Sequence, residues 1–125
     1  MRLLVVEDDA NVAAILAETF RADGHDTMVE YTGEAALAVI GRDRPDAVIL
    51  DIALPQIDGI EVLRKIRSSD TALPVIIVSG AGTGRQFDEA RRLGVTDIIT
   101  KPAILNHFTE ALTQIATTLR HRARH

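Results

Sequence analysis

Ala47-Val48-Ile49-Leu50-Asp51-Ile52-Ala53-Leu54-Pro55-Gln56-Ile57-Asp58-Gly59 is the stretch whose reading decides the fold. Four apolar residues end on a single carboxylate, and a turn containing proline and Asp-Gly follows. A short apolar run bounded by turn signals reads as a strand buried on both faces, as in a parallel sheet. Asp51 then stands at the carboxyl end of that strand, the edge at which open α/β sheets place their ligands. A carboxylate in that position is costly unless something pairs with it. The rest of the chain is expected to supply the partner.

Toward the amino terminus, Leu3-Leu4-Val5-Val6 is a second short apolar run, and it too ends in acid, at Glu7-Asp8-Asp9. Helical spacing follows, with Val12, Ile15, Leu16, Thr19 and Phe20 on one face and Asp9 or Asn11 as the N-cap. Asp23-Gly24-His25 stops that helix, with Gly24 as its left-handed residue. Thr27–Tyr31 reads as a short strand, and Thr32 as a cap for a small-residue helix carrying Ala35, Ala36, Leu37, Val39 and Ile40. Beyond the central strand, Asp58-Gly59 opens a third helix with Ile60, Val62, Leu63 and Ile66 as its apolar positions. Leu73–Val78 is the next buried strand, ending in Ser79, and Gly80-Ala81-Gly82-Thr83-Gly84 reads as a loop before a modest helix that Gly94 breaks. Val95–Thr100 is the last strand, leading to Lys101-Pro102 and a final helix carrying Ile104, Leu105, Phe108, Leu112, Ile115 and Leu119. Five strands alternating with five helices predict a parallel sheet covered on both faces, with right-handed crossovers restricting its topology.

The 125 residues suit one domain, 1–125, with a core of about 1–119 and a basic tail over 120–125. With 46% hydrophobic and 26% charged residues the composition is that of a globular protein, and a formal net charge of −4 gives no basic field for direct nucleic-acid binding. The absence of cysteine excludes disulfides, thiolate metal sites and thiol catalysis. Met1–Val6 is too short for the apolar core of an export signal and runs into Glu7, and no apolar run approaches membrane-spanning length. A cytoplasmic domain without membrane contact is expected, and at this length one without an output module of its own.

Strands that run parallel all end at one edge, which brings together Glu7, Asp8, Asp51, Ser79 and Lys101 from distant parts of the chain. Clustered carboxylates raise one another's pKa and cannot all ionise unaided. A divalent cation relieves this, and hard oxygen ligands with room for water favour Mg2+. Lys101 adds a compact positive charge and Ser79 a hydroxyl donor, a combination suited to a transferring phosphoryl group. Asp51 is then the natural nucleophile.

The Glu7-Asp8 pair, the Asp51-x-x-Leu-Pro-x-Ile-Asp-Gly59 run, Ser79 and Lys101-Pro102, in that order across essentially the whole chain, resemble the receiver domain of two-component response regulators. The resemblance implies a single (βα)5 doubly wound sandwich, flavodoxin-like, with strand order 2-1-3-4-5. It implies that Asp51 is the phosphoacceptor, supplied by a histidine kinase or a histidine phosphotransfer protein, and that the chain is no enzyme beyond its own phosphorylation and dephosphorylation. It further implies that Asp8, Asp51 and the carbonyl of Ala53 bind the metal directly and Glu7 through water. Ser79 moves toward the phosphoryl group, Lys101 pairs with it, and the Lys101–Pro102 peptide is cis, a state readily tolerated only before proline. An unknown downstream protein reads the phosphorylated state, and residues near Asn11, Val12 and Ala14 contact the kinase.

Three features depart from the family pattern. Ile98 stands where the last strand usually carries Tyr or Phe, Ala103 follows the proline in place of Phe, and Ala53 and Ala81 leave a small lip. A β-branched Ile98 has few rotamers with which to copy a swinging aromatic ring, so the expected switch, through Ser79 and Ile98, is smaller or runs through the Gly80–Gly84 loop. Competing functions are a non-phosphorylated pseudo-receiver, an aspartate-dependent phosphatase (which would want an acid at Ala53) and a flavin binder (which would want a phosphate loop where Glu7-Asp8-Asp9 stands). Each residue also has a plainer reading. Glu7, Asp8 and Asp9 taken alone are a solvated capping turn, Ser79 a loop hydroxyl, Lys101 a surface lysine and Ile98 a packing residue. His25 reads as a loop residue, His107 lies on the last helix, and His121 and His125 belong to the charged tail.

Overall fold

The apolar runs form the strands expected of them. The computed structural model describes residues 1–54, 57–80 and 83–100. Strands β1 (Arg2–Val6), β2 (Asp26–Glu30), β3 (Ala47–Asp51), β4 (Val75–Ser79) and β5 (Asp97–Thr100) make one parallel sheet in the order 2-1-3-4-5. Helices α1 (Ala10–Ala22), α2 (Gly33–Arg42), α3 (Gly59–Ser69) and α4 (Gly84–Arg92) connect successive strands. The expected final helix, the cis Lys101–Pro102 peptide and the basic tail lie outside the described residues.

The order explains the layering. The chain winds outward from β1 to β2, then returns past β1 to β3, β4 and β5, so right-handed crossovers put α1 on one face and the later helices on the other. Side chains of the strands alternate between the two. Leu4, Val48, Leu50, Val75 and Ile77 pack with Ala36, Val39, Val62, Leu63, Ile66 and Ala90 of α2, α3 and α4. Leu3, Val5, Ala47, Ile49, Ile76 and Val78 pack with Leu16 and Phe20 of α1. All five residues of β3 and of β4 are buried, the burial that unbroken apolar runs require of central parallel strands.

Local signals set the helix ends. Asp9, and not Asn11, caps α1, its carboxylate accepting the amides of Asn11 at 2.9 Å and Val12 at 3.3 Å. Thr32 caps α2 and Asp58 caps α3. Gly24 and Gly94 carry the positive φ values, 90° and 74°, that end α1 and α4.

Several boundaries and faces differ from the sequence reading. The buried stripe of α1 is Ala13, Leu16, Ala17 and Phe20, whereas Ile15 is 51% exposed and Thr19 is turned to solvent. Small alanines let the helix lie close to the sheet, and the contact line runs through them, which rotates Ile15 outward. Gly84 is the first residue of α4 and Thr83 its N-cap, where the sequence reading has a loop. Thr83 accepts the Gln86 amide at 3.2 Å while the Gln86 side chain accepts the Thr83 amide at 3.0 Å, a reciprocal cap. Strand β5 begins at Asp97, not Val95, although the Thr96 amide still donates to Val75 at 2.8 Å. Tyr31 lies beyond β2 and is half exposed.

A polar seam joins α3 to α4. The Arg67 guanidinium donates to the carbonyls of Leu93 at 2.6 Å, Gly94 at 3.1 Å and Asp70 at 3.0 Å, capping the carboxyl end of α4 from the neighbouring helix. Arg64 joins Glu61 to Glu89, and Arg92 with Arg64 holds the Glu89 carboxyl below its ordinary range. Arg44 does the same for Asp70 across 2.6 Å. No helix among the described residues is long and apolar enough to cross a membrane.

Candidate functional site

The sheet register assembles the site. Val6 lies opposite Leu50, so Glu7, one residue beyond β1, comes level with Asp51, the last residue of β3. Asp51 pairs with Val78, and Ser79 follows at the end of β4. Three adjacent parallel strands therefore deliver two acids and a hydroxyl to one edge, and all three residues are buried.

Within the turn after β1 the acids divide their work. Glu7 accepts the Asp9 amide at 3.3 Å, its own amide donates to the Glu30 carbonyl at 3.1 Å, and Asp9 caps α1. Asp8 stays exposed, and one carboxylate oxygen from each of Glu7, Asp8 and Asp51 lies within 4.8 Å of the others. Two of these carboxylates are buried beside a third that is open to water. A hard, all-oxygen donor set reached from solvent fits a divalent cation of the magnesium class. It is the one such acidic group among the described residues.

Asp51 is anchored on the other side by the loop that follows it. Its carboxylate accepts the Ala53 amide at 3.0 Å, and Ala53 is exposed at the mouth of the site. The amide of Gly59, the first residue of α3, donates to the Ile52 carbonyl at 2.9 Å and closes the loop. A β-carbon at Gly59 would come within 2.6 Å of the Ile52 α-carbon and closer still to the Asp51 carbonyl oxygen. The Asp-Gly pair marks a turn in the sequence; that its glycine lies against the backbone of Asp51 is visible only in three dimensions.

Ile98 is level with Ile77 in β4, half-buried against the cluster under α2, α3 and α4. Ser79 shares that face two residues further on, opposite Thr100. Lys101 follows Thr100 in the chain and lies outside the described residues, as do Ala81, Ala103, His107, His121 and His125. His25 precedes β2 at the opposite edge of the sheet, where its Nδ1 lies 3.1 Å from the Met1 amine, and burial lowers its pKa. It stands apart from the acids.

A doubly wound α/β domain with an acidic cluster at the carboxyl edge of its sheet is the class that this fold and site define. A family model of the response regulator receiver domain matches residues 3–113, and the chain belongs to that family. It is 33% identical over 120 residues to response regulator MprA of Mycobacterium leprae (strain TN), across 96% of this chain and 51% of that protein. The chain thus spans about half the length of MprA. It is 31% identical over 111 residues to sporulation initiation phosphotransferase F of Bacillus subtilis (strain 168), across 89% of this chain and 90% of that one. Among solved structures, the Francisella response regulator 1452 receiver domain is 30% identical, with a TM-score of 0.83 over 94% of this chain and 98% of that one.

Proposed function

We propose that this receiver domain is a phosphoacceptor in two-component or phosphorelay signalling, with Asp51 as the residue phosphorylated. The observation that carries the reading is the meeting of Glu7, Asp8 and Asp51 at the sheet edge. A phosphohistidine of a histidine kinase or histidine phosphotransfer protein is the donor. An Asp51 carboxylate oxygen attacks phosphorus, the phosphorus–nitrogen bond breaks as the new phosphorus–oxygen bond forms, and the departing imidazole nitrogen takes up a proton.

Asp8 and Asp51, with the Ala53 carbonyl, would hold the metal directly, and Glu7 would hold it through water. Bound Mg2+ supplies positive charge beside the phosphoryl oxygens. Buried Glu7 keeps the Glu7–Asp9 turn in place through the Asp9 amide, which leaves exposed Asp8 aimed at the pocket. Ser79 orients a phosphoryl oxygen by its hydroxyl and Lys101 pairs with another. The chain catalyses only its own phosphorylation and dephosphorylation, and the phosphorylated state alters binding to a downstream protein. A single receiver domain over 1–125, cytoplasmic, with neither membrane nor direct nucleic-acid contact, completes the proposal; a net charge of −4 supports the last point.

Phosphate incorporation from acetyl phosphate, with and without Mg2+, tests the reading. Metal-dependent incorporation that Asp51→Asn abolishes is the expected result. No incorporation and no Mg2+ binding by the unaltered protein would overturn it in favour of a pseudo-receiver, an interaction module of the same fold that takes no phosphate.

Ile98 restrains the conformational response. Its branched side chain is half-buried against an apolar cluster and has few rotamers to change. Phosphorylation is therefore expected to move amide resonances strongly around Ser79 and over residues 80–84, and weakly around Ile98. Shifts at Ile98 as large as those at Ser79 would contradict this.

A further inference from the structure

We infer that Gly59 is a positioning residue for Asp51: the bare α-carbon at the start of α3 sets where the main chain of residues 51–53 lies, and with it the acceptor carboxylate. The inference rests on the reading of Asp51 as phosphoacceptor and metal ligand. Nothing in that chemistry requires a glycine eight residues downstream of the acid; the requirement comes from packing.

Two contacts fix the relation. The Gly59 amide donates to the Ile52 carbonyl at 2.9 Å, so the loop leaving Asp51 returns to the residue next to it. At the same point the two backbones touch, with the place of a β-carbon 2.6 Å from the Ile52 α-carbon and 3.0 Å from the Asp51 carbonyl carbon. These are main-chain atoms at the end of a buried central strand and just beyond it, and no side-chain rotation relieves such an overlap. A methyl group at Gly59 must push either α3 outward or the Asp51–Ile52 backbone toward the pocket. The Asp51 carboxylate is held to that backbone by the Ala53 amide at 3.0 Å, so it moves with it. Asp58 completes the arrangement by capping α3 through the Glu61 amide at 2.9 Å, which holds the first helical turn against the strand end.

Gly33 provides a steric control. A β-carbon there would also be crowded, at 2.6 Å from Val62 Cγ2 and 2.7 Å from Ile57 Cγ2, but by side chains. Gly33→Ala should therefore lower stability without displacing Asp51.

The test measures Mg2+ affinity by calorimetric titration and the rate of incorporation from acetyl phosphate. The unaltered full chain, Gly59→Ala and Gly33→Ala are compared at a temperature where circular dichroism shows each to be folded. Gly59→Ala is expected to weaken Mg2+ binding about tenfold or more, the usual scale for losing a group that orients a metal ligand. It should slow incorporation by up to about a hundredfold, the scale of a misplacement near 1 Å. Gly33→Ala is expected to keep both values within about twofold, as for a change that misplaces no ligand. A folded Gly59→Ala protein with unaltered affinity and rate would overturn the inference, as would an equal loss in Gly33→Ala. If Gly59→Ala does not fold, the pair Asp58→Ala and Asp58→Asn decides. Asn keeps the cap and should keep the affinity, while Ala frays the turn and should weaken it severalfold; equal affinities in the two overturn the inference. An unaltered chain that neither binds Mg2+ nor incorporates phosphate would instead defeat the phosphoacceptor reading itself.

Discussion

Asp8→Asn is expected to make the metal-free protein more stable and the protein in Mg2+ less stable than the unaltered chain. Three carboxylate oxygens lie within 4.8 Å of one another. Like charges at that spacing repel by about 1 kcal/mol per pair even in a water-like dielectric, and by more where water is excluded. Asn keeps the shape and removes one charge, and Asp8 makes neither the α1 cap nor the Glu7–Asp9 contact. Thermal unfolding in a chelator should therefore shift upward for the variant. Adding Mg2+ reverses the order. At a concentration ten times its dissociation constant, the cation stabilises the unaltered protein by about 1.4 kcal/mol, a rise of roughly 5 °C for a domain of this size. The variant, with a binding constant reduced at least about tenfold, gains little. Phosphate incorporation should fall with it. A variant less stable than the unaltered chain in chelator would show that the Asp8 carboxylate serves the fold and not a ligand.

The acids were legible in the sequence for the reason that makes this prediction possible. Apolar runs that end in acid, at Val6-Glu7 and Leu50-Asp51, can be matched without coordinates once the strands are taken as parallel, because parallel strands share an edge. Caps were partly legible too, at Thr32 and at Asp9 or Asn11, since such residues signal through their own side chains to nearby amides, whereas the cap at Asp58 reads in the sequence only as part of a turn. The Thr83-x-x-Gln86 capping box is equally visible, but the glycines on either side of Thr83 are loop signals that mask it. Closeness across elements was not available. The approach of Gly59 to the Asp51 backbone and the reach of Arg67 to the end of α4 depend on how α3 is seated. No residue spacing encodes that distance. Helical periodicity likewise says that α1 has an apolar face and leaves its centre open by about one residue in the 3.6-residue turn. Ile15 and Phe20 show what that uncertainty conceals.

Both residues look like core in the sequence, and the structure separates them. Phe20→Ala is expected to lower stability by about 3–5 kcal/mol, a large part of the 5–15 kcal/mol that holds a typical domain together. Phe20 is fully buried among Leu3, Val5, Ile49 and Leu16, between α1 and β1. Removing its ring leaves a cavity that a strand buried on both faces has little freedom to close. The melting temperature should fall by roughly 12–20 °C at this chain length, and the urea midpoint should move with little change in slope. Ile15→Ala, on the exposed side of the same helix, should change stability by no more than about 0.5 kcal/mol. A comparable loss from both would mean that α1 sits rotated by a residue, with Ile15 turned under. The rotation would also reach the site, because α1 begins at the turn that holds Glu7 and Asp8. An α1 seated on Phe20 leaves Asp9 to cap the helix and Asp8 to face Asp51. Ile15→Ala should accordingly leave Mg2+ affinity unaltered, and Phe20→Ala should reduce apparent affinity only by the fraction of molecules unfolded.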